Sequence, residues 1–260
     1  MQDRECMQEA LDNLCLWADR WLMQFNFSKC KVMHFGHNNV HQKYTMNGQE
    51  LMVTEEEVDI GVKVTKNLKP AGQCQKAAKT AQTVLGRLSR AFSYRDRHVF
   101  MRLYAQYVRP HLEFAVQAWS PWTEADKGCL EKVQKRAVKM VSGVQAKDYE
   151  SRLRELGHLT LEERRHQLDM QQVHRILSGK DRVKSDTWFK MASDGERVTR
   201  AAADPLNLRI PAPRLEVRKN FFSQRVPEDW NKIPPVVKNA ETVKAFRNAY
   251  RKHRLPEAAA

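Results

Sequence analysis

Residues 99–141 read VFMRLYAQYVRPHLEFAVQAWSPWTEADKGCLEKVQKRAVKMV. Val99, Phe100, Leu103, Tyr104, Tyr107, Val108 and Leu112 recur at intervals of three and four, which places them on one face of a helix starting near Asp96. Pro110 removes an amide donor and predicts a bend or a division there, and Trp119-Ser120-Pro121-Trp122 predicts the end. A second helix follows, over about 123–142, with Leu130, Val133, Ala137, Met140 and Val141 as its apolar stripe and Ser142-Gly143 as its stop. Lys132, Lys135 and Lys139 project from its far side, with Arg136 beside them. Two packed helices with a cationic outer face suit a nucleic-acid backbone, and a merely solvated helix face is the competing reading.

Upstream, residues 7–25 predict a helix with Leu11, Leu14, Cys15, Ala18, Leu22 and Phe25 on one side. Trp17 and Trp21 adjoin that stripe, so core packing is expected of them rather than base stacking. KCKVMHFG reads as a short strand, Asn47-Gly48 as a hairpin turn between Tyr44-Thr45-Met46 and Leu51-Met52-Val53, and Val58 to Val64 as a final strand. From Lys69 the chain becomes helical and basic. Residues 72–92 predict an Ala-rich helix, and a short helix at 148–156 precedes a longer one from Thr160 to Ser178, with Thr160 and Glu163 in a capping box. On that helix Arg164 and Arg165 are open to two readings, phosphate contact or an internal ion pair with Glu155 or Asp169. Residues 179–219, rich in Gly and Pro, read as a loosely ordered linker, and 220–260 as a C-terminal helical segment ending near His253.

The 260 residues, 42% hydrophobic, are enough for a core. The formal charge of +14 is unevenly spread: residues 1–66 hold seven Lys/Arg and ten Asp/Glu, which leaves +17 for the rest and favours a polyanionic partner there. Five widely spaced cysteines without a C-x-x-C argue against disulfides and a cysteine zinc site. His34, His37 and His41 form the closest histidine group and read as surface residues, because no Cys or carboxylate stands at ligand spacing. No membrane-length apolar run and no signal-peptide core is visible, so an intracellular chain, nuclear or cytoplasmic and not secreted, is expected.

VRPHLEFAVQAWSP at 108–121 and LEKVQKRAVKMVSG at 130–143 resemble the region after the polymerase core in reverse transcriptases of non-LTR (LINE-type) retrotransposons, nearest the jockey-like branch. The resemblance continues through YESRLRELGHLTLEERRHQLDM at 149–170 and FFSQRVPEDWNKIPPVVKNAETVKAF at 221–246, and backward through ALDNLCLWADRWLMQFNFSKCKVMHFG at 10–36. It implies that 1–68 is the end of a palm, 69–178 a thumb-like helical domain and 179–219 a linker. It matches Asn26 and Lys29 to an Asn-x-x-Lys element that helps position nucleotide and pyrophosphate. Asp59, Ile60, Gly61 and Val62 match the element that holds the primer end, with Ile in place of the family's Leu. The expected partner is RNA or an RNA–DNA hybrid, gripped by backbone contacts from Lys132, Lys135, Arg136 and Lys139.

The complete family enzyme uses magnesium held by a Tyr-x-Asp-Asp turn and an earlier Asp. This chain has no Asp-Asp pair, and its match begins just after that turn. Asp12 and Asp19 are no substitute, since seven helical residues separate them by about 10 Å. No P-loop, nucleophile elbow or H-E-x-x-H helix occurs. The expectation is an α+β chain, mostly helical, with a small antiparallel β element near its N-terminus followed by a helical bundle. It is expected to lack cofactor, metal and catalytic residues of its own and to keep template–primer affinity. A helical protein-interaction scaffold derived from such an element, or a non-functional remnant, is the alternative, and a second chain covering an open sheet edge would suit either.

Overall fold

The computed structural model describes residues 2–36, 38–144, 148–194 and 204–254. The chain is α+β and mostly helical, and it divides into two compact units, Met1–Lys69 and Pro70–Ala260.

In the first unit α1 (Gln2–Arg20) lays Cys15, with half-buried Leu11, against Met46 and Leu51, and also buries Ala18. Three small β pairs follow. β1 (Lys31–Val32) will meet a later strand; β2 (Thr45–Met46) and β3 (Gln49–Glu50) form the expected hairpin, whose Asn47 and Gly48 have φ of 49° and 73°. β4 (Met52–Val53) pairs with β1 in parallel. β5 (Glu56–Asp59) and β6 (Val62–Thr65) are antiparallel. The expected continuous strand from Val58 to Val64 is therefore corrected to a hairpin, because Gly61, at φ 85°, lets the chain reverse there. Ile60 shares the turn at φ 44°, a strained setting for a β-branched residue.

The tryptophans of α1 are a second correction. Trp17 and Trp21 are 46% and 65% exposed, and Leu14 and Leu22 are exposed as well. The reason is width: the small cluster beneath the helix, Met46 and Leu51 with Phe25, Phe27, Cys30, Val32 and Tyr44, takes up Leu11 and Cys15 and leaves Trp17 and Trp21 outside. Gln8 secures that contact, since its amide donates to Thr45 O at 2.9 Å and accepts from Thr45 N at 3.0 Å, standing in for a neighbouring strand.

The second unit begins with α2 (Ala71–Ala91), whose buried Ala77, Ala78 and Ala81 allow close helix approach. α3 (Arg97–Leu103) starts where the periodicity puts it: the Asp96 carboxylate accepts from His98 N at 2.8 Å and Val99 N at 3.1 Å, and these amides pull its pKa down. Helical structure continues past Pro110 as far as Glu113. The turn before the proline, Tyr104–Val108, widens to the π form, with Arg109 N bonded to Tyr104 O, and α4 (Arg109–Glu113) carries on from there. A wider turn absorbs the missing donor and the ring. The real break comes at Ala115, φ 50°, ahead of α5 (Val116–Trp119).

Thr123 accepts from Asp126 N and opens α6 (Glu124–Lys139), which buries Leu130, Val133, Gln134, Ala137 and Val138. α7 (Tyr149–Glu155) is capped by Asp148, and α8 (Leu161–Leu177) by Thr160. Glu163, expected to complete the capping box, instead lies 3.5 Å from Arg254. The remaining helices are short except the last: α9 (Ser185–Trp188), α10 (Glu216–Lys219), α11 (Phe222–Arg225), α12 (Pro227–Asn231), α13 (Pro235–Lys238) and α14 (Val243–Arg254).

Met170, Val173 and Ile176 of α8 form a core with Phe222, Val226, Trp230, Val237, Phe246 and Tyr250. Phe189 and Leu208, from the stretch read as a loose linker, belong to the same core. The Asn231 amide clamps Leu208 from both sides, donating to its O and accepting from its N at 2.8 Å each, and Trp230 Nε1 donates to Leu206 O at 2.8 Å. Lys238, fully buried, bonds Asp204 at 2.9 Å and Asn207 at 2.6 Å. The described linker residues are thus fixed by paired polar groups that no hydrophobic period announces.

The other fixed point is Gln134. Its Oε1 accepts from Tyr104 Oη at 2.8 Å, and its Nε2 donates to Tyr149 Oη at 3.0 Å and Leu159 O at 2.8 Å. Gln134→Leu is expected to lower stability by about 2–4 kcal/mol, because buried partners lose their bonds. Adding Tyr104→Phe to it should restore about 1 kcal/mol by removing an orphaned hydroxyl. Urea unfolding midpoints of the two variants would show an additive loss if this account is wrong.

Candidate nucleic-acid interface

α6 turns its cations outward because its buried residues leave them no other direction. Lys132, Lys135, Arg136 and Lys139 sit at i, i+3, i+4 and i+7, and all are exposed. They span about 10 Å of helix, a length over which a duplex carries about six phosphates. Lys135 Nζ lies 5.1 Å above the Tyr149 ring. Farther up the helix Lys127 pairs with Glu124 and Glu162, whereas among the described residues no carboxylate closes on the four outer cations. Arg136 and Lys139 lie in the last turn, where the helix dipole favours positive charge. The inner face is locked by Glu131, which takes the Tyr149 hydroxyl proton in a hydrogen bond and accepts from Leu161 N at 3.1 Å. Burial and that neighbouring carboxylate push the Tyr149 hydroxyl well above its ordinary range.

The arginines of α8 face inward. Arg164 makes a two-pronged bond to Glu113, 2.7 and 2.8 Å, which raises its pKa; the pairing with Glu155 or Asp169 does not form. Arg165 is 3% exposed, and both terminal nitrogens are buried without a hydrogen-bond partner. Burial lowers its pKa. Asp169 is taken by Arg225, at 3.0 Å through each oxygen, and burial pushes its carboxyl upward against that pull. The sequence left these inward pairs open because their partners lie 51 and 56 residues away.

In the first unit Asn26 and Lys29 bracket the one-turn helix Phe27–Lys29; both are exposed, and Ser28 Oγ donates to Asn26 Oδ1 at 2.6 Å. Asp59 and Val62 face each other across the β5–β6 hairpin, with Gly61 and the 87% exposed Ile60 at its tip. Asp12 and Asp19 are both exposed on α1. His34 and His41 lie edge to face at 4.8 Å, and His37 falls outside the described residues. Among the described residues no group of three His, Cys, Asp or Glu could hold a metal ion, and no helix is long and apolar enough to cross a membrane.

Comparison with protein-family models, with curated proteins and with solved structures found no match.

Neutralising a side chain that supports a fold lowers stability; these four are exposed, and among the described residues no carboxylate pairs with them. The variant carrying Lys132→Gln, Lys135→Gln, Arg136→Gln and Lys139→Gln is expected to unfold within about 1–2 kcal/mol of the parent, most of the change arising from the Lys135–Tyr149 contact. A larger drop in the urea midpoint would make the patch a structural element instead.

Proposed function

We propose that the Pro70–Ala260 unit holds a nucleic-acid duplex by its phosphates, with Lys132, Lys135, Arg136 and Lys139 as the contact face. On this reading the chain is the template–primer-holding part of a non-LTR retrotransposon reverse transcriptase: palm end and thumb-like helices without the catalytic aspartates. The observation that carries it is the contrast in charge partners. The inward cations Arg164, Arg225 and Lys238 are each held by a carboxylate, while the four on α6 stand at helical-face spacing without one among the described residues. Such a face reads shape and charge, so an RNA–DNA hybrid or RNA is the fitting partner. Asn26, Lys29 and Asp59 to Val62 would then serve nucleotide and primer positioning only beside a catalytic core carried elsewhere, with magnesium belonging to that core.

One observation favours a second reading, a helical interaction scaffold: α1 exposes Leu14, Trp17 and Trp21 together on a unit with little core of its own.

The test is binding to an RNA–DNA hybrid across a salt series. The parent should lose affinity steeply with salt, and the variant neutralised at all four α6 positions should show a slope smaller by about one unit per cation removed. Equal, weak binding by both would remove the duplex-holding role. The purified chain is also expected to extend no primer, and magnesium-dependent DNA synthesis by it would refute the assignment of catalysis elsewhere.

A further inference from the structure

A cleft of about 360 Å³ opens between the residues following α9, the extended segment at 209–212 and α11. Its geometry is fixed from below. Met191 and Leu208 form an antiparallel bridge, Arg209 N donates to Lys190 O at 2.8 Å, and buried Phe189 packs edge-on against Phe222 at 5.8 Å. Trp188 forms one wall. Its ring stacks nearly parallel to Phe221, 5° apart at 6.4 Å, and meets Phe222 edge-on at 6.1 Å, yet the residue remains 37% exposed. Ile210, 55% exposed, lies across the cleft.

The charges lining it have one sign. Lys190 and Arg209 contribute to the walls, and among the described residues no Asp or Glu lines the cleft and no carboxylate pairs with either cation. Ser223 and Gln224 supply hydroxyl and amide groups at one end. The Gln224 amide donates from Nε2 to Ser223 Oγ at 3.2 Å, and its Oε1 can accept. A flat aromatic wall, that amide and two cations that no described carboxylate pairs with match one nucleotide of a single strand: base on ring, phosphates on Lys190 and Arg209. A duplex keeps its base faces stacked inside and cannot use the ring; an acidic peptide would use the cations and leave the ring idle.

We infer that this cleft is a binding site for an unpaired nucleotide of single-stranded RNA or DNA, with Trp188 as the stacking platform and Lys190 and Arg209 as phosphate contacts. The site is separate from the cationic face of α6 and does not depend on the duplex-holding role.

The experiment uses the full chain neutralised at Lys132, Lys135, Arg136 and Lys139, so that α6 contributes no phosphate contact. Binding of a labelled oligouridine is compared with that of an abasic oligomer of equal charge and of a polyglutamate peptide. Trp188→Ala should weaken oligouridine binding about tenfold, as loss of one stacked base does, and leave abasic binding unchanged. Trp188→Phe should retain most of the affinity, which separates lost stacking from a damaged fold. Lys190→Gln with Arg209→Gln should reduce the salt slope for both oligomers by about one to two units. Oligouridine bound no better than its abasic counterpart, or a polyglutamate bound as tightly, would overturn the site.

Discussion

One buried amide constrains the second unit. Gln134 lies on the inner face of α6, and its hydrogen bonds reach the widened turn at Tyr104, α7 through Tyr149 and the approach to α8 through Leu159. A leucine could fill the volume, but it would leave the buried Tyr104 Oη and the half-buried Leu159 O without these partners. The amide therefore fixes the rotation of α6 about its own axis. With Gln134, Val133 and Ala137 turned inward, Lys132, Lys135, Arg136 and Lys139 have to point outward. The proposed contact face follows from a polar group on the opposite side of the same helix.

Charge is sorted by the same logic. A buried cation is stable only with its partners in place, and Arg164 has Glu113, Arg225 has Asp169 with the carbonyl of Asn220, and Lys238 has Asp204 and Asn207. Arg165 is the exception, buried with its terminal nitrogens unbonded. The cations on α6 and beside Trp188 are, by contrast, exposed, and among the described residues no carboxylate pairs with them. That separation is what gives a surplus of positive charge a function to be tested.

The first unit solves a different problem, shortage of partners. Its β pairs are two to four residues long, and its core is Cys15, Met46 and Leu51 with half-buried neighbours. Gln8 closes part of the edge of β2 with its side-chain amide, as Asn231 does for Leu208 in the second unit. Trp17 and Trp21 stay outside because the cluster beneath α1 is too narrow to cover them. The width of the covering surface, and not the hydrophobicity of the residue, decided their exposure.

Local patterns determined much of this protein. The 3.6-residue period set α2, α3, α6 and α8, Asp96, Thr123 and Thr160 capped the starts of α3, α6 and α8, Asn47-Gly48 set a hairpin, and the i, i+3, i+4, i+7 spacing set the cationic face. These features are legible because each depends on residues within two turns of one another. Whatever depends on remote partners was decided only by the tertiary structure. Proline at 110 could bend, break or widen its helix, and the packing of Tyr104 and Val108 on either side of the wide turn selected the last. Arg164 found Glu113, Asp169 found Arg225, and a Gly- and Pro-rich stretch without period was drawn into the core through Phe189, Leu208 and the Asn231 clamp. A hydrogen bond between residues far apart in sequence leaves no period along the chain, so neither the inward fate of those arginines nor the cleft beside Trp188 could be read before the chain was folded.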